Sequence, residues 1–270
     1  TATGDVTSNG VVQTNNNGMV TFEADDSVFI NSNIIAGGTG DVLVTANADI
    51  ATDANNTDGS TESITMAGGT SIDGGSGSIT LTNDDDDGLG NEDNGGDITA
   101  QTLTTTASAG TGITVNSDDD ALLEGTVTTG GANIDIDADA NILTTGTINS
   151  NGGNVDLLVG NDVTINNAIT TAGGAVDIDA VRDVTSNAAG DITTTGDAAD
   201  EAGGPVDIDS GRHVNLAGDI DTRGNAADGL GGNVTIDSVD GDITVSAIDA
   251  SGAGVGAGGN IFLNANDADN

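Results

Sequence analysis

Residues 154–174, NVDLLVGNDVTINNAITTAGG, are followed at 175–204 by AVDIDAVRDVTSNAAGDITTTGDAADEAGG, at 205–232 by PVDIDSGRHVNLAGDIDTRGNAADGLGG and at 233–259 by NVTIDSVDGDITVSAIDASGAGVGAGG. Each unit opens on an alternating apolar run and closes on a Gly-Gly pair, as does ANIDIDADANILTTGTINSNGG at 132–153. The openings at Ile113, Ile134, Val155 and Val176 lie 21 residues apart, and Val206, Val234 and Ile261 follow after 30, 28 and 27. A disordered chain has no reason to keep such a phase, so the repeat decides the fold.

Three short strands fit in a unit. The first runs as Ile134, Ile136, Ala138 or Val206, Ile208, Ser210, where a period of two puts the three side chains on one face. The second begins at Ile142, Val163, Val184, Val214 and Ile243, after a corner rich in Asn, Asp and Gly. The third carries Val127, Ile148, Ile169, Ile192, Ile220 and Ile248, followed two places on by Thr129, Ser150, Thr171, Thr194, Thr222 and Ala250. Three strands per turn that return to the same place predict an all-β fold, a parallel β-solenoid of about ten coils stacked roughly 4.8 Å apart.

Working back from Ile113, the first 112 residues follow the pattern less strictly within what reads as a single solenoid segment, 1–270. First-strand candidates are Val20-Phe22-Ala24, Val42-Val44-Ala46, Ile64-Met66 and Ile98-Ala100, with second strands at Val28-Ile30, Ile50 and Ile72. Ile79-Leu81 reads as a third strand, and the 15-residue step from Ile98 to Ile113 suggests a coil with one side shortened or skipped. The extra lengths, 83–96, 196–204, 224–232 and 252–259, are then expected at one corner, where they would form either a binding edge or a solvated acidic fringe.

Composition agrees with a narrow interior. Aromatics are 1% of the chain, with no Trp or Tyr and Phe only at 22, 29 and 262, and 43 glycines with abundant Thr, Asn and Asp disfavour helices. The formal charge is −41, from 44 acids against three arginines and no lysine. That balance excludes nucleic acid and anionic membrane surfaces as direct partners and points to cations. Zero Cys removes disulfides and thiolate chemistry, and no apolar run approaches a membrane span. Starting at Thr1 with no leader, the chain reads as a piece of something longer.

The strings GGNVTIDSVDGDITVSAIDASG (231–252) and GGNVDLLVGNDVTINNAITTAGG (152–174) resemble the repeat region of filamentous haemagglutinin-like adhesins, large bacterial exoproteins of the two-partner secretion type. The resemblance covers essentially the whole chain and implies a right-handed β-helix, an extracellular or cell-surface location and an adhesive or structural role. The chain departs from the family in lacking an Asn-Pro-Asn signature, since its one proline is Pro205. Calcium nonapeptide repeats are also absent, GGSGSITLT at 74–82 being the nearest stretch.

The chemistry available is acidic. Asp135, Asp156, Asp177 and Asp207 are expected on one outward column of the first strand, and Asp137, Asp179, Asp209 and Asp237 on the next, with Leu158 interrupting. Carboxylates stacked at strand spacing repel, so either Ca2+ or Mg2+ bound weakly at several places offsets the cost or salt screens it. Asp84, Asp85, Asp86 and Asp87, and Asp118 to Asp120, are further candidate ligands. A glycosidase would need a carboxyl pair in a cleft with groups to grip the sugar. Arg182, Arg212, Arg223 and His213 are the whole cationic stock, and His213 reads as a substitution at an exposed corner. The expectation is a non-catalytic stalk or fibre, with glycan binding or processing as the alternative. Ice binding is disfavoured by the irregular third-strand column Thr128, Asn149, Thr170, Thr193, Asp221, Asp249. At the ends, Ile261 to the next Val20 would span 29 residues if one copy followed another, which suggests further solenoid end to end, with glycans or cell surfaces as other partners.

Overall fold

The computed structural model describes residues 4–47, 62–83, 96–198, 201–226 and 228–266. These described residues form thirty strands in three ten-stranded sheets, and every strand pair among them is parallel. Face one is built from Val20–Glu23, Val42–Ala46, Ile79–Asn83, Thr111–Ser117, Asn133–Ala138, Val155–Val159, Val176–Ala180, Val206–Ser210, Val234–Ser238 and Ile261–Ala265. Face two stacks Val6–Ser8, Val28–Ile30, Ile64–Met66, Ile98–Ala100, Ala121–Leu123, Ile142–Thr144, Val163–Ile165, Val184–Ser186, Val214–Leu216 and Ile243–Val245. Face three is made of two- and three-residue strands from Val12–Gln13 to Ile248–Asp249. The chain visits the three faces in turn, which makes it a parallel β-solenoid of about ten coils.

Like residues stack on like. Ile113, Ile134, Val155, Val176, Val206 and Val234 form one interior column, Val115, Ile136, Leu157, Ile178, Ile208 and Ile236 the next, and all are buried. Branched aliphatics suit such a column, because their restricted rotamers cost little in a strand and their methyls fill the gap between rungs. Each contributes about 1.5–3 kcal/mol by leaving water.

The Gly-Gly pairs are explained by contact with the coil below. A Cβ at Gly174 would lie 2.0 Å from the Gly153 carbonyl oxygen, and one at Gly204 1.9 Å from that of Gly174. Gly131, second of its pair, and Gly152 and Gly173, first of theirs, also have φ of 116°, 110° and 95°, which side chains rarely adopt. The small residues before them point inward. Thr194 donates to Gly204 O at 2.6 Å and Thr222 to Gly232 O at 2.8 Å, and Ser150 and Thr171 donate likewise to Gly153 and Gly174.

The regular half, 113–270, has the expected strands throughout its described part, whereas the register expected for the first half needs correction. Ile64–Met66 and Ile98–Ala100 lie on face two and not face one, Ile72 lies on face three, and Ile79–Asn83 belongs to face one. No side is skipped between Ile98 and Ile113: a single residue, Gln101, separates Ile98–Ala100 from the face-three strand Thr102–Thr104. The excursions therefore use two corners. Those from Asn47 to Glu62 and from Asn83 to Gly96 join face one to face two, while 196–204, 224–232 and 252–259 join face three to face one. Ile50 lies outside the described residues. Asn83, fully buried, ties the first two returns together by donating from Nδ2 to Glu62 O at 2.8 Å and Gly96 O at 2.5 Å.

Candidate cation-binding face

Alternation along face one turns Asp135, Asp156, Asp177 and Asp207 outward, and the register sets them directly opposite one another in successive coils. Asp137, Leu158, Asp179, Asp209 and Asp237 form the second outward column. The first column is exposed, while Asp137, Asp179 and Asp237 are half-buried. Neutral residues bound the patch: Thr114 and Asn116 below, and Thr235 above the first column. Above the second, Asn264 Nδ2 donates to Asp237 Oδ1 at 2.8 Å.

Crowding shows in the acidities. Partial burial, then the neighbouring carboxylates, push Asp137, Asp156, Asp177, Asp207 and Asp209 above the ordinary aspartate range. Backbone hydrogen bonds partly offset this at Asp137, Asp177 and Asp207. The face has no cation of its own, because all three arginines are engaged at corners. Arg182 reaches Asp162 at 3.4 Å, Arg212 reaches Asp183 at 3.4 Å, and Arg223 reaches Asp221 at 2.6 Å and Asp249 at 3.7 Å.

This geometry can bridge a hard cation. Calcium binds oxygen at about 2.3–2.6 Å, so two oxygens on opposite sides of one ion are about 4.6–5.2 Å apart, a range that brackets the strand repeat of about 4.8 Å.

A second acidic group sits where face one turns to face two. Ligand oxygens of Asp97, Asp119 and Asp120 lie within 4.8 Å of one another, and burial raises the Asp97 and Asp119 pKa values. Asp119 and Asp120 belong to the expected 118–120 run; Asp97 was missed. It precedes a face-two strand as Asp120 does, a match visible only once Ile98 is placed on face two. Asp84, Asp85, Asp86 and Asp87 lie outside the described residues.

The same corner carries a ladder that sequence reasoning did not find. Asp97 Oδ1 accepts the backbone N–H of Asp120, Asp120 that of Asn141, Asn141 that of Asp162, Asp162 that of Asp183 and Asp183 that of His213, at 3.0–3.3 Å. His213 continues it by accepting the Asp242 N–H on Nδ1 at 3.1 Å. Its exposed corner position is as expected, and its ring takes the place of a carboxylate. On the opposite corner the later excursions also stack: Gly203 N donates to Leu230 O, Asn225 N to Glu201 O, Gly224 N to Ser251 O and Ala253 N to Gly229 O.

No family model, curated protein or solved structure matches the chain, so the haemagglutinin-like resemblance stands on the quoted repeats alone.

Proposed function

We propose that this chain is a stiff, non-catalytic rod segment of a large secreted surface protein, an adhesin stalk or extracellular fibre, whose face-one carboxylates take up divalent cations, calcium above all. The observation that carries the reading is the regular register of face one from Ile134 to Ser210, which sets like carboxylates opposite one another in successive coils. Three continuous backbone ladders resist bending, and a bridging ion converts the one repulsive face into a fourth line of contact between coils. Further solenoid, of this chain or like chains, stacking on Ile261–Ala265 is the partner that such a rod implies. The half-exposed Ile261, Phe262 and Leu263 present an alternating strand to it.

Thermal unfolding in millimolar CaCl2, against NaCl of equal ionic strength and against chelator, tests the cation part. A site of millimolar affinity at several-fold excess should add on the order of 1 kcal/mol. Equal melting in CaCl2 and matched NaCl would leave only screening and remove calcium from the proposal.

A further inference from the structure

Face two is the uncharged side of a very acidic rod. Its outward residues, from one end to the other, are Thr7, Phe29, Thr65, Thr99, Leu122, Leu143, Thr164, Thr185, Asn215 and Thr244, with neither acid nor base among them. About the leucine pair the column reads the same in both directions for three rungs: Leu, Thr, Thr toward Thr65 and Leu, Thr, Thr toward Thr185. We propose that two copies of this chain pair laterally through face two, antiparallel, about a two-fold axis between Leu122 and Leu143.

A two-fold contact must be self-complementary, since whatever residue i meets on its partner must meet i in return. The palindrome meets that condition. It lays Leu122 against Leu143 of the second copy, Thr99 against Thr164 and Thr65 against Thr185. The leucines stand at the centre, where anchoring side chains count most, and hydroxyl rows surround them. Thr164 and Thr185 already hydrogen-bond each other across the rung at 3.2 Å, so they lose little freedom on pairing.

The rim adds one complementary contact, although its ladder row sets Asp97 opposite Asp162 of the second copy. The residues one place before Ser27, Ser63 and the corner ladder run Asp26, Glu62, Gly96, Asp119, Ala140, Asn161, Arg182 and Arg212. The same two-fold axis sets Arg212 opposite Asp26 of the second copy, whereas Glu62, the counterpart of Arg182, is buried. No other face can pair with itself so cheaply. Face one would bring its aspartates together, and face three carries Asp73, Asp221 and Asp249 outward. Ten three-residue strands cover roughly 45 Å by 10 Å, about 450 Å² per copy, which places the contact among weak, reversible associations.

Small-angle X-ray scattering over a dilution series in moderate salt reads mass per unit length, which lateral pairing doubles and end-to-end stacking leaves unchanged. The wild-type value should rise toward twice its dilute limit. Leu143→Glu should weaken pairing by roughly tenfold or more, since it buries an unpaired charge at the centre. Thr170→Glu on face three should pair as wild type does. Arg212→Asp should weaken pairing, and adding Asp26→Arg to the same chain should restore it. Circular dichroism melts confirm that each variant is folded. A wild-type mass per length that never rises, pairing undiminished in Leu143→Glu, or no rescue by Asp26→Arg would overturn the proposal.

Discussion

Replacing both Asp156 and Asp177 with Asn removes three of the carboxylate oppositions on face one: Asp135 with Asp156, Asp156 with Asp177, and Asp177 with Asp207. At a spacing of about 4.8 Å each pair costs about 1 kcal/mol in bulk water and about 3.5 kcal/mol at an effective dielectric of 20. These side chains are exposed, so the lower figure is the better guide and part of it is screened. The double variant should therefore gain about 2 kcal/mol without added divalent ions, or roughly 4 °C in melting temperature for a chain of this size. Far-UV circular dichroism melts in chelator at pH 7.5 read this directly. Asparagines could also stabilise by hydrogen bonding along the column, and pH separates the two causes. Asp156 and Asp177 hold their protons above the ordinary value of 3.8. In that range the folded rod therefore binds more protons than the unfolded chain. The cost of burying the charge, the larger cause of the shift, and the repulsion are both absent once pH falls below about 4 and grow as pH rises through the raised pKa values. The advantage of the variant should shrink on acidification to pH 4, and in calcium the variant should lose the ion's benefit. A melting temperature at pH 7.5 equal to or below wild type, or a gain that persists unchanged at pH 4, would refute repulsion as the cause.

Three further outcomes follow from the interior. Thr144 sits in a face-two column between Leu123 and Ile165 with no partner for its buried hydroxyl, so Thr144→Val should stabilise by about 1 kcal/mol. Thr171→Val, the same exchange at a hydroxyl that serves the Gly174 carbonyl, should destabilise by about 1 kcal/mol, and denaturant midpoints compare the two. Gly204→Ala forces a methyl against the Gly174 carbonyl oxygen at 1.9 Å and should cost about 3 kcal/mol, with amide exchange rising first around 203–206.

The fold was legible because a solenoid repeats its evidence. Val155 alone says little, but Val155, Val176, Val206 and Val234 at the same place in successive units define a column, and period two then turns Asp156 and Asp177 outward together. What misled was the same economy. Strands of faces one and two are both written apolar-x-apolar, so Ile64-Thr65-Met66 looks like Val42-Leu43-Val44. The stretches 47–62 and 83–96 break the spacing that would tell them apart. With Ile64 and Ile98 one face out of place, Asp97 lost its match with Asp120, and Thr65 and Thr99 were lost to the column that contains Leu122 and Leu143. The corner ladder was hidden for another reason. Asp, Asn and His look unlike in sequence, yet each offers one acceptor to the N–H of the next coil, which is all the position requires.

The three sides of the rod solve the problem of a −41 charge differently, and the differences assign them different work. Corner carboxylates are tied into backbone: Asp162 and Asp183 each accept an N–H from the next coil and each meet an arginine, so their charge strengthens the stack. Face two avoids charge and can meet a surface like itself. Among the described residues, face one gathers the longest run of carboxylates that repel, beside the smaller corner group of Asp97, Asp119 and Asp120, with neither arginine nor backbone donors enough to hold their pKa values down. A rod needs only its interior columns and corner ladders to stand, so the aspartates of face one are not required for the fold. On the proposed reading their cost falls when an ion sits between rungs, and stiffness along that face would then depend on the calcium around it. A stalk built this way would be stiffest where calcium is plentiful and would slacken on that side alone when calcium is withdrawn.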